Sequence, residues 1–199
     1  MKYSQNDEQA FITSYFGDNC NGKFLEIGSY HPTALSNTRA LVEIGWSGVY
    51  VEPSPICFRS FEQEYKDNEK IFLIEAAIGN YDGYGIFYES NGDAISTTNT
   101  QHKKKWEDSY PTLKYDEINV KFMSMETLLN QHKNIDFLNL DVEGTNIELF
   151  NLIPDYFWDY LKMICIEHDG QHYYIEDKLK NYGFSKININ GENIILGKY

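Results

Sequence analysis

The residues of this 199-residue chain that could do chemistry fall into four short groupings: Glu26 to His31, Glu52, Asp141 with Glu143, and Glu167-His168-Asp169. Each follows a brief apolar run: Phe24, Leu25 and Ile27 before Gly28, Val49-Tyr50-Val51 before Glu52, Ile135 to Leu140 before Asp141, and Met163 to Ile166 before Glu167. Such runs predict buried strands, and ligands of open α/β sheets bind outside the carboxyl ends of their strands. The groupings are distant in sequence, so their convergence is an expectation of the fold. Glu52 suits a vicinal diol such as that of a ribose, because an ionised carboxylate only accepts and a diol offers two donors at matching spacing. His168 stands between two acids that would raise its basicity, which makes it a candidate general base; His31, in the first turn, is the second candidate. Either ring could instead hydrogen-bond a loop backbone, and Asp141 and Glu143 could merely cap a helix opening at Thr145.

The elements that must position these groups follow from periodicity. Leu35, Thr38, Leu41, Val42 and Gly45 recur at helical spacing between the first two runs, so Phe24 to Pro53 reads as one βαβ unit. Ahead of it, residues 1–22 offer Phe11, Ile12, Tyr15 and Phe16 as the stripe of a leading helix. Pro55 opens a helix with Cys57, Phe58, Phe61 and Tyr65 inward, and Ile71 to Ile74 is a third strand. The stretch Glu75 to Asn80 reads as a strand-to-turn exit whose small residues leave room for a flat ring. Gly85 to Glu89 is a short extra strand. Residues 90–117, which include Ser96, are the least regular part of the chain and are expected to lie over the open sheet end as a substrate lid. Lys103-Lys104-Lys105 within them reads as a solvated helix face.

Asn119 to Phe122 is extended and leads to a helix capped by Ser124; Ile135 to Leu140 is the central strand, and Thr145-x-x-Glu148 predicts a capping box. After the Met163 to Ile166 strand comes a helix with Tyr174, Ile175, Leu179 and Tyr182 inward, ended by Gly183. Phe184 to Leu196 alternates around Asn190-Gly191, the mark of a two-residue hairpin. His102, His132 and His172 read as surface residues.

Composition bounds the function classes. Hydrophobic residues make up 42% and aromatics 16%, which argues for a folded globule in one domain over 1–199. The net charge of −13 repels phosphate backbones, so nucleic-acid partners are disfavoured, while a cationic ligand is compatible. Cys20, Cys57 and Cys165 lack metal-type spacing, and a reducing cytoplasm is the expected setting. No signal-peptide core and no run of about 20 apolar residues is present, so a soluble chain without a membrane partner is expected.

The pattern E-I-G-x-x-H-P-x-x-x-S-N-T, then G-W-x-G, then V-E-P-x-P resembles the FkbM-type family of S-adenosylmethionine-dependent methyltransferases, matching at Gly28, His31, Pro32, Ser36, Asn37, Thr38, Gly45, Trp46, Gly48, Glu52, Pro53 and Pro55. Ala-Ala-Ile-Gly after the third strand and D-x-E-G at Asp141 to Gly144 extend the likeness over roughly residues 24 to 185. The resemblance implies a Rossmann-like class I methyltransferase fold: α/β, with a mostly parallel seven-stranded sheet, helices on both faces and an antiparallel C-terminal hairpin. It implies S-adenosylmethionine as cofactor, with S-adenosylhomocysteine as product. Gly28 would approach its methionine end with Glu26 supporting the turn, and Ser29 and Tyr30 belong to the same turn. Open amides near Ser36 and Asn37 would take its carboxylate. Glu52, with Pro53 beside it, would hold the ribose; Ala77 and Ile78 would flank the adenine, and Asp141 would meet the amino group. Glu143, Glu167, Asp169 and Ser96 would face the acceptor.

The implied reaction is in-line methyl transfer to a hydroxyl of a sugar, glycan or secondary metabolite, with a histidine base and no resident metal. Pro32 departs from the glycine of many relatives and excludes a G-x-G-x-x-G pyrophosphate loop, which needs bare backbone there. The competing expectations are a Mg²⁺-assisted transferase using Asp141, Asp169 and Glu143 or His168, a nucleotide-binding or dehydrogenase module, and a non-catalytic module of the same fold.

Overall fold

In the computed structural model, which describes residues 2–19 and 21–199, the chain opens with α1 (Glu8–Phe16), β1 (Lys23–Ile27), α2 (Arg39–Glu43), β2 (Ser47–Val51), α3 (Pro55–Tyr65) and β3 (Ile71–Ile74). It continues through β4 (Ala77–Gly79), β5 (Gly83–Glu89), α4 (Thr100–Ser109), β6 (Asp116–Ser124), α5 (Met125–Gln131) and β7 (Phe137–Leu140). It ends with α6 (Asn146–Leu152), α7 (Asp155–Tyr160), β8 (Met163–Glu167), α8 (His172–Lys180), β9 (Phe184–Ile189) and β10 (Asn193–Lys198). The expectation for Cys20 lies outside the described residues.

The main sheet has seven strands in the order β3-β2-β1-β7-β8-β10-β9. The first five run parallel and β10 is antiparallel to both neighbours, as expected. Both faces are covered, so the parallel strands are apolar on both sides. Leu25, Ile27, Val49, Val51, Leu138 and Leu140 pack with Leu128 of α5, Phe150 of α6 and Ile175 of α8. The intervening residues Phe24, Tyr50, Phe137 and Cys165 pack with Ile12 of α1, Leu41 of α2 and Phe61 of α3. Connections leave β1 in opposite directions toward β2 and β7, which makes their carboxyl ends the switch point of the sheet.

Several local expectations are corrected. The Glu75 to Asn80 exit is a strand: β4 pairs with the nine-residue β6, which also pairs antiparallel with β5, giving a second sheet in the order β4-β6-β5. Its core is Ala77, Phe87, Val120 and Phe122. The helix after Gly28 is only five residues long, because Tyr30 and Leu35 adopt left-handed backbone and hold 29–38 as a loop. Residues 90–117 contain a ten-residue helix, α4, whose Asn99 cap accepts from the amides of Gln101 and His102. Its lysines pair along the helix, Lys103 with Glu107 and Lys104 with Asp108, as a solvated face should.

No capping bond comes from Thr145; Asn146 instead ties down the turn ahead of the helix, its Oδ1 accepting from Val142 N at 2.8 Å. Helix α7 was not anticipated: Pro154 breaks the preceding helix and Trp158 is fully buried. Tyr174 is exposed rather than inward. The hairpin turn falls one residue later than Asn190-Gly191, since Asn190 N donates to Asn193 O and Asn190 Oδ1 accepts from the Glu192 and Asn193 amides.

Candidate functional site

At the switch point the ends of β1 and β7 are tied by Asp141 N donating to Ile27 O at 3.0 Å, while Gly28 N donates to Val51 O at 3.0 Å. Gly28 has φ +80°, and a Cβ there would lie 1.7 Å from the Asp141 carbonyl oxygen. Only glycine lets these two strand ends pass so closely. Beside it, Glu52 is 6% exposed; its Oε2 accepts from Tyr30 N and its Oε1 from Ser54 N, each at 2.8 Å. Burial pushes its carboxyl up to about 7, against the opposing pull of the two amides. Each oxygen keeps a lone pair for a further donor.

Ala76, Ala77, Ile78, Phe87 and Val142 form the apolar part of the lining of a cleft to which Glu52 also contributes. The whole cleft encloses about 540 Å³, part of it open to solvent, and its walls include the expected Gly28, Tyr30, Glu52, Pro53, Ala77, Ile78, Ser96, Asp141 and Glu143.

Its inner end is polar. Glu26, Ser29, Asn37 and Asn139 line it together with Asp141. Glu26 is 3% exposed, bonded to Thr38 Oγ1 and accepting from Asn139 Nδ2 at 3.1 Å, and burial raises it to about 8. Ser29 Oγ donates to the backbone, within reach of both Glu26 O and Val51 O.

Toward solvent, Asp141 and Glu143 become the wall of an outer cleft with Glu167, His168, Asp169, Trp106 and Gln5. Burial first, then the neighbouring Glu167 and Glu143 carboxylates, hold Asp141 well above the usual range; Glu167, hydrogen-bonded to it, is pushed to about 7 by burial and then by Glu143 and Asp169. Such a pair shares a proton near neutral pH. Asn146 Nδ2 steadies it, donating to Glu167 Oε2 at 2.5 Å, with Asp169 Oδ2 at 3.3 Å. Among the described residues no group of three or more His, Cys, Asp or Glu side chains is arranged to hold a metal ion.

The two histidines singled out from the sequence are tied to backbone. His168 is buried; its Nδ1 accepts from Gly170 N at 3.0 Å and its Nε2 lies 3.3 Å from Asn190 O. With the proton on Nε2 both nitrogens are occupied, and the neutral ring has no free lone pair. His31 Nδ1 accepts from the amides of Thr33 and Ala34, and the ring is not among those lining either cleft. Ser36 also stays local, its Oγ accepting from Arg39 N.

The segment expected as a lid does reach the clefts. Ala94, Ser96 and Thr98 line the first, and Thr97 Oγ1 and Asn99 Nδ2 donate to the carbonyls of Glu143 and Gly144 at 2.6 and 2.7 Å. His102 is not a surface residue: its Nε2 is 2.9 Å from Glu143 Oε2 and 2.7 Å from Trp106 Nε1. Sequence reasoning also missed Gln5, Trp106 and Asn139. Asn139 carried a signal, since a polar residue inside a central apolar strand must find a partner. The other two carried none, because remote segments bring them in.

The family model described as Methyltransferase FkbM domain matches residues 26–186. Among curated proteins nothing matches. The FkbM methyltransferase of Methylobacillus flagellatus KT superposes with a TM-score of 0.55 at 9% identity, over 89% of this chain and 43% of that one. This chain therefore spans less than half of that relative. The Escherichia coli protein yhhF, named as a methyltransferase, superposes at 0.51 with 10% identity, over 100% of this chain and 88% of its own. At these identities the two structures show the shared fold, and the family match adds the lineage: the chain belongs to the FkbM methyltransferase family.

Proposed function

We propose that this chain transfers a methyl group from S-adenosylmethionine to a hydroxyl of a sugar, glycan or hydroxylated small metabolite. The reading is carried by one observation: Gly28, Glu52 and Asp141, from the ends of three strands, line a single cleft with an apolar slot beside the Glu52 carboxylate. The residues present fit an adenosyl cofactor. Glu52 can accept from both ribose hydroxyls, Ala77, Ile78 and Phe87 offer a flat base an apolar wall, and the inner polar end suits an amino-acid tail. Bound S-adenosylmethionine supplies a methyl carbon already activated by its sulfonium.

The protein then has to align an acceptor oxygen and take up its proton. The Asp141–Glu167 pair is our candidate for that proton acceptor: Asp141 lines both clefts, and Glu167 beside it in the outer one is raised to about 7. His168 is assigned a positioning role, pinning the 167–170 loop to the hairpin turn. Glu143, Asp169, Gln5 and the indole of Trp106 offer a hydroxyl-rich acceptor hydrogen-bond partners and a flat apolar face. Residues 90–117 act as the lid over both.

Calorimetric titration tests the reading. S-adenosylhomocysteine should bind with a Kd at least a hundredfold lower than that of NAD. Equal or reversed affinities would overturn it.

A further inference from the structure

The inner end of the cleft contains an acceptor to which, among the described residues, nothing donates: Asn37 Oδ1. Asn37 is 6% exposed and lines that end beside Glu26, Asn139 and Asp141. A short relay dictates which way its amide points. Glu26 Oε1 takes the amino group of Asn139 at 3.1 Å, which turns the Asn139 carbonyl toward Asn37, and Asn37 Nδ2 donates to it at 3.0 Å. The same Nδ2 lies 3.8 Å from Cys165 Sγ. Flipping Asn37 would press two carbonyl oxygens together, so the relay leaves Oδ1 as the free end. A buried carbonyl without a donor is costly, and such a group asks for a ligand that brings one.

We propose that Asn37 Oδ1 receives the α-ammonium of the cofactor's methionine end, an inference that rests on the adenosyl reading above. The surroundings suit a cation: no Lys or Arg shares this wall, and the carboxyls of Glu26 and Asp141, raised by burial, can ionise beside an arriving ammonium. The polarity is the reverse of that expected from the sequence, where helix amides near Ser36 and Asn37 were to take the carboxylate. Helix α2 is only five residues long, and Ser36 Oγ already caps Arg39 N. What the wall presents at Asn37 is an acceptor.

Calorimetry with ligands that differ only at the amino-acid end tests this on the unaltered protein. The S-adenosylhomocysteine analogue with hydroxyl in place of its amine should bind at least tenfold more weakly than the parent. The decarboxylated analogue, which keeps the amine, should lose less. If the decarboxylated analogue is the weaker of the two, the protein reads the carboxylate and the proposal falls. In Asn37→Leu, S-adenosylhomocysteine should lose at least tenfold while 5′-methylthioadenosine, which lacks the amino acid, stays within twofold. Equal losses for both, or none for either, would also overturn it. Failure of the unaltered protein to bind either adenosyl ligand would instead defeat the cofactor reading on which the inference rests.

Discussion

The two clefts share Asp141, Glu143 and Ala94 yet are built from different material. The first cleft is made of strand ends: Gly28 against the Asp141 carbonyl, Glu52 on two backbone amides, Ala77 and Ile78 in a ladder with β6. Its key groups are held by main-chain bonds that persist while the sheet does. The outer cleft is assembled from the N-terminal segment, α4, the 167–170 loop and the hairpin turn, joined largely by side chains. Asn6 reaches Glu192, and Glu8, fully buried, accepts from Asn190 and Asn193 at 2.7 and 3.1 Å. Gln5, Glu8, Asn190 and Glu192 all lie outside the residues matched by the family model. The family match therefore takes in every named wall of the first cleft and leaves out part of the frame of the outer one.

The largest effect should come from breaking the boundary between the clefts. Glu167→Gln removes one proton site of the shared pair and should lower methyl transfer to a hydroxylated acceptor, found by panel screening, by about 10²–10⁴-fold. Affinity for S-adenosylhomocysteine should change little. His168→Asn, which keeps a polar group in the loop, should cost far less, about tenfold or under. If His168→Asn is the more damaging change, the base is the imidazole after all. The kcat of the unaltered enzyme should rise with pH through about 7, as Glu167 loses its proton and can accept one from the hydroxyl.

The second effect is on stability and belongs to the inner end. Glu26 rises from 4.5 to about 8 on folding, chiefly through burial. A raised carboxyl binds its proton more tightly when folded, so the associated stability is complete below pH 4.5 and is lost as pH climbs through 8. Glu52 acts with the same sign up to about 7. The Glu26 contribution is at most roughly 4 kcal/mol over that window. The melting temperature should therefore fall from pH 5 to pH 8, and Glu26→Gln, neutral throughout and able to accept from Asn139, should flatten the fall. A melting curve equally steep in the variant would show that Glu26 is not the group titrating.

The walls of the first cleft were far more legible in the sequence than those of the outer one, for a physical reason. Gly28, Glu52 and Asp141 each follow an apolar run, and position at a strand end follows from the run alone. The outer cleft depends on which side chains meet across the sheet's carboxyl edge. Glu8 looked like an ordinary polar residue before a helix, and nothing local marks it as the acceptor of two asparagines more than 180 positions away. His168 shows the converse. Its neighbouring acids pointed to chemistry, but its hydrogen bonds are set by the hairpin turn, whose place in the fold is not written beside it. At Thr145 the capping pattern was present in sequence without the bond, and the side chain that fixes the turn is Asn146, which reaches back to Val142 N.

Glu52→Ala comes third, and sharpens the contrast from the cofactor side. Losing the acceptor of two ribose hydroxyls should weaken S-adenosylhomocysteine by roughly 1–3 kcal/mol, read by calorimetry. Below about pH 7 the unaltered protein should weaken too, as Glu52 gains a proton and ceases to be acceptor-only. Loss of this pH dependence in the variant ties it to Glu52; persistence would assign it to another carboxyl on the same wall.

The smallest effect concerns the strap between the clefts. Asn99 caps α4 with its carbonyl and, through Nδ2, holds the segment to Gly144 O at 2.7 Å. Asn99→Ala should cost about 1–2 kcal/mol, the usual value of an N-cap, and the cost should be local because α4 contributes no fully buried residue to either core. Amide exchange in residues 97–109 should quicken by about five- to thirtyfold, the factor that free energy implies, while the main-sheet strands keep their protection. Cofactor affinity should fall less than in Glu52→Ala, since Thr97 still grips the Glu143 carbonyl. Exchange that quickens in β1 and β7 as strongly as in α4 would mean that the strap and the strand ends open as one unit, and the division between sheet-built and side-chain-built clefts would not hold.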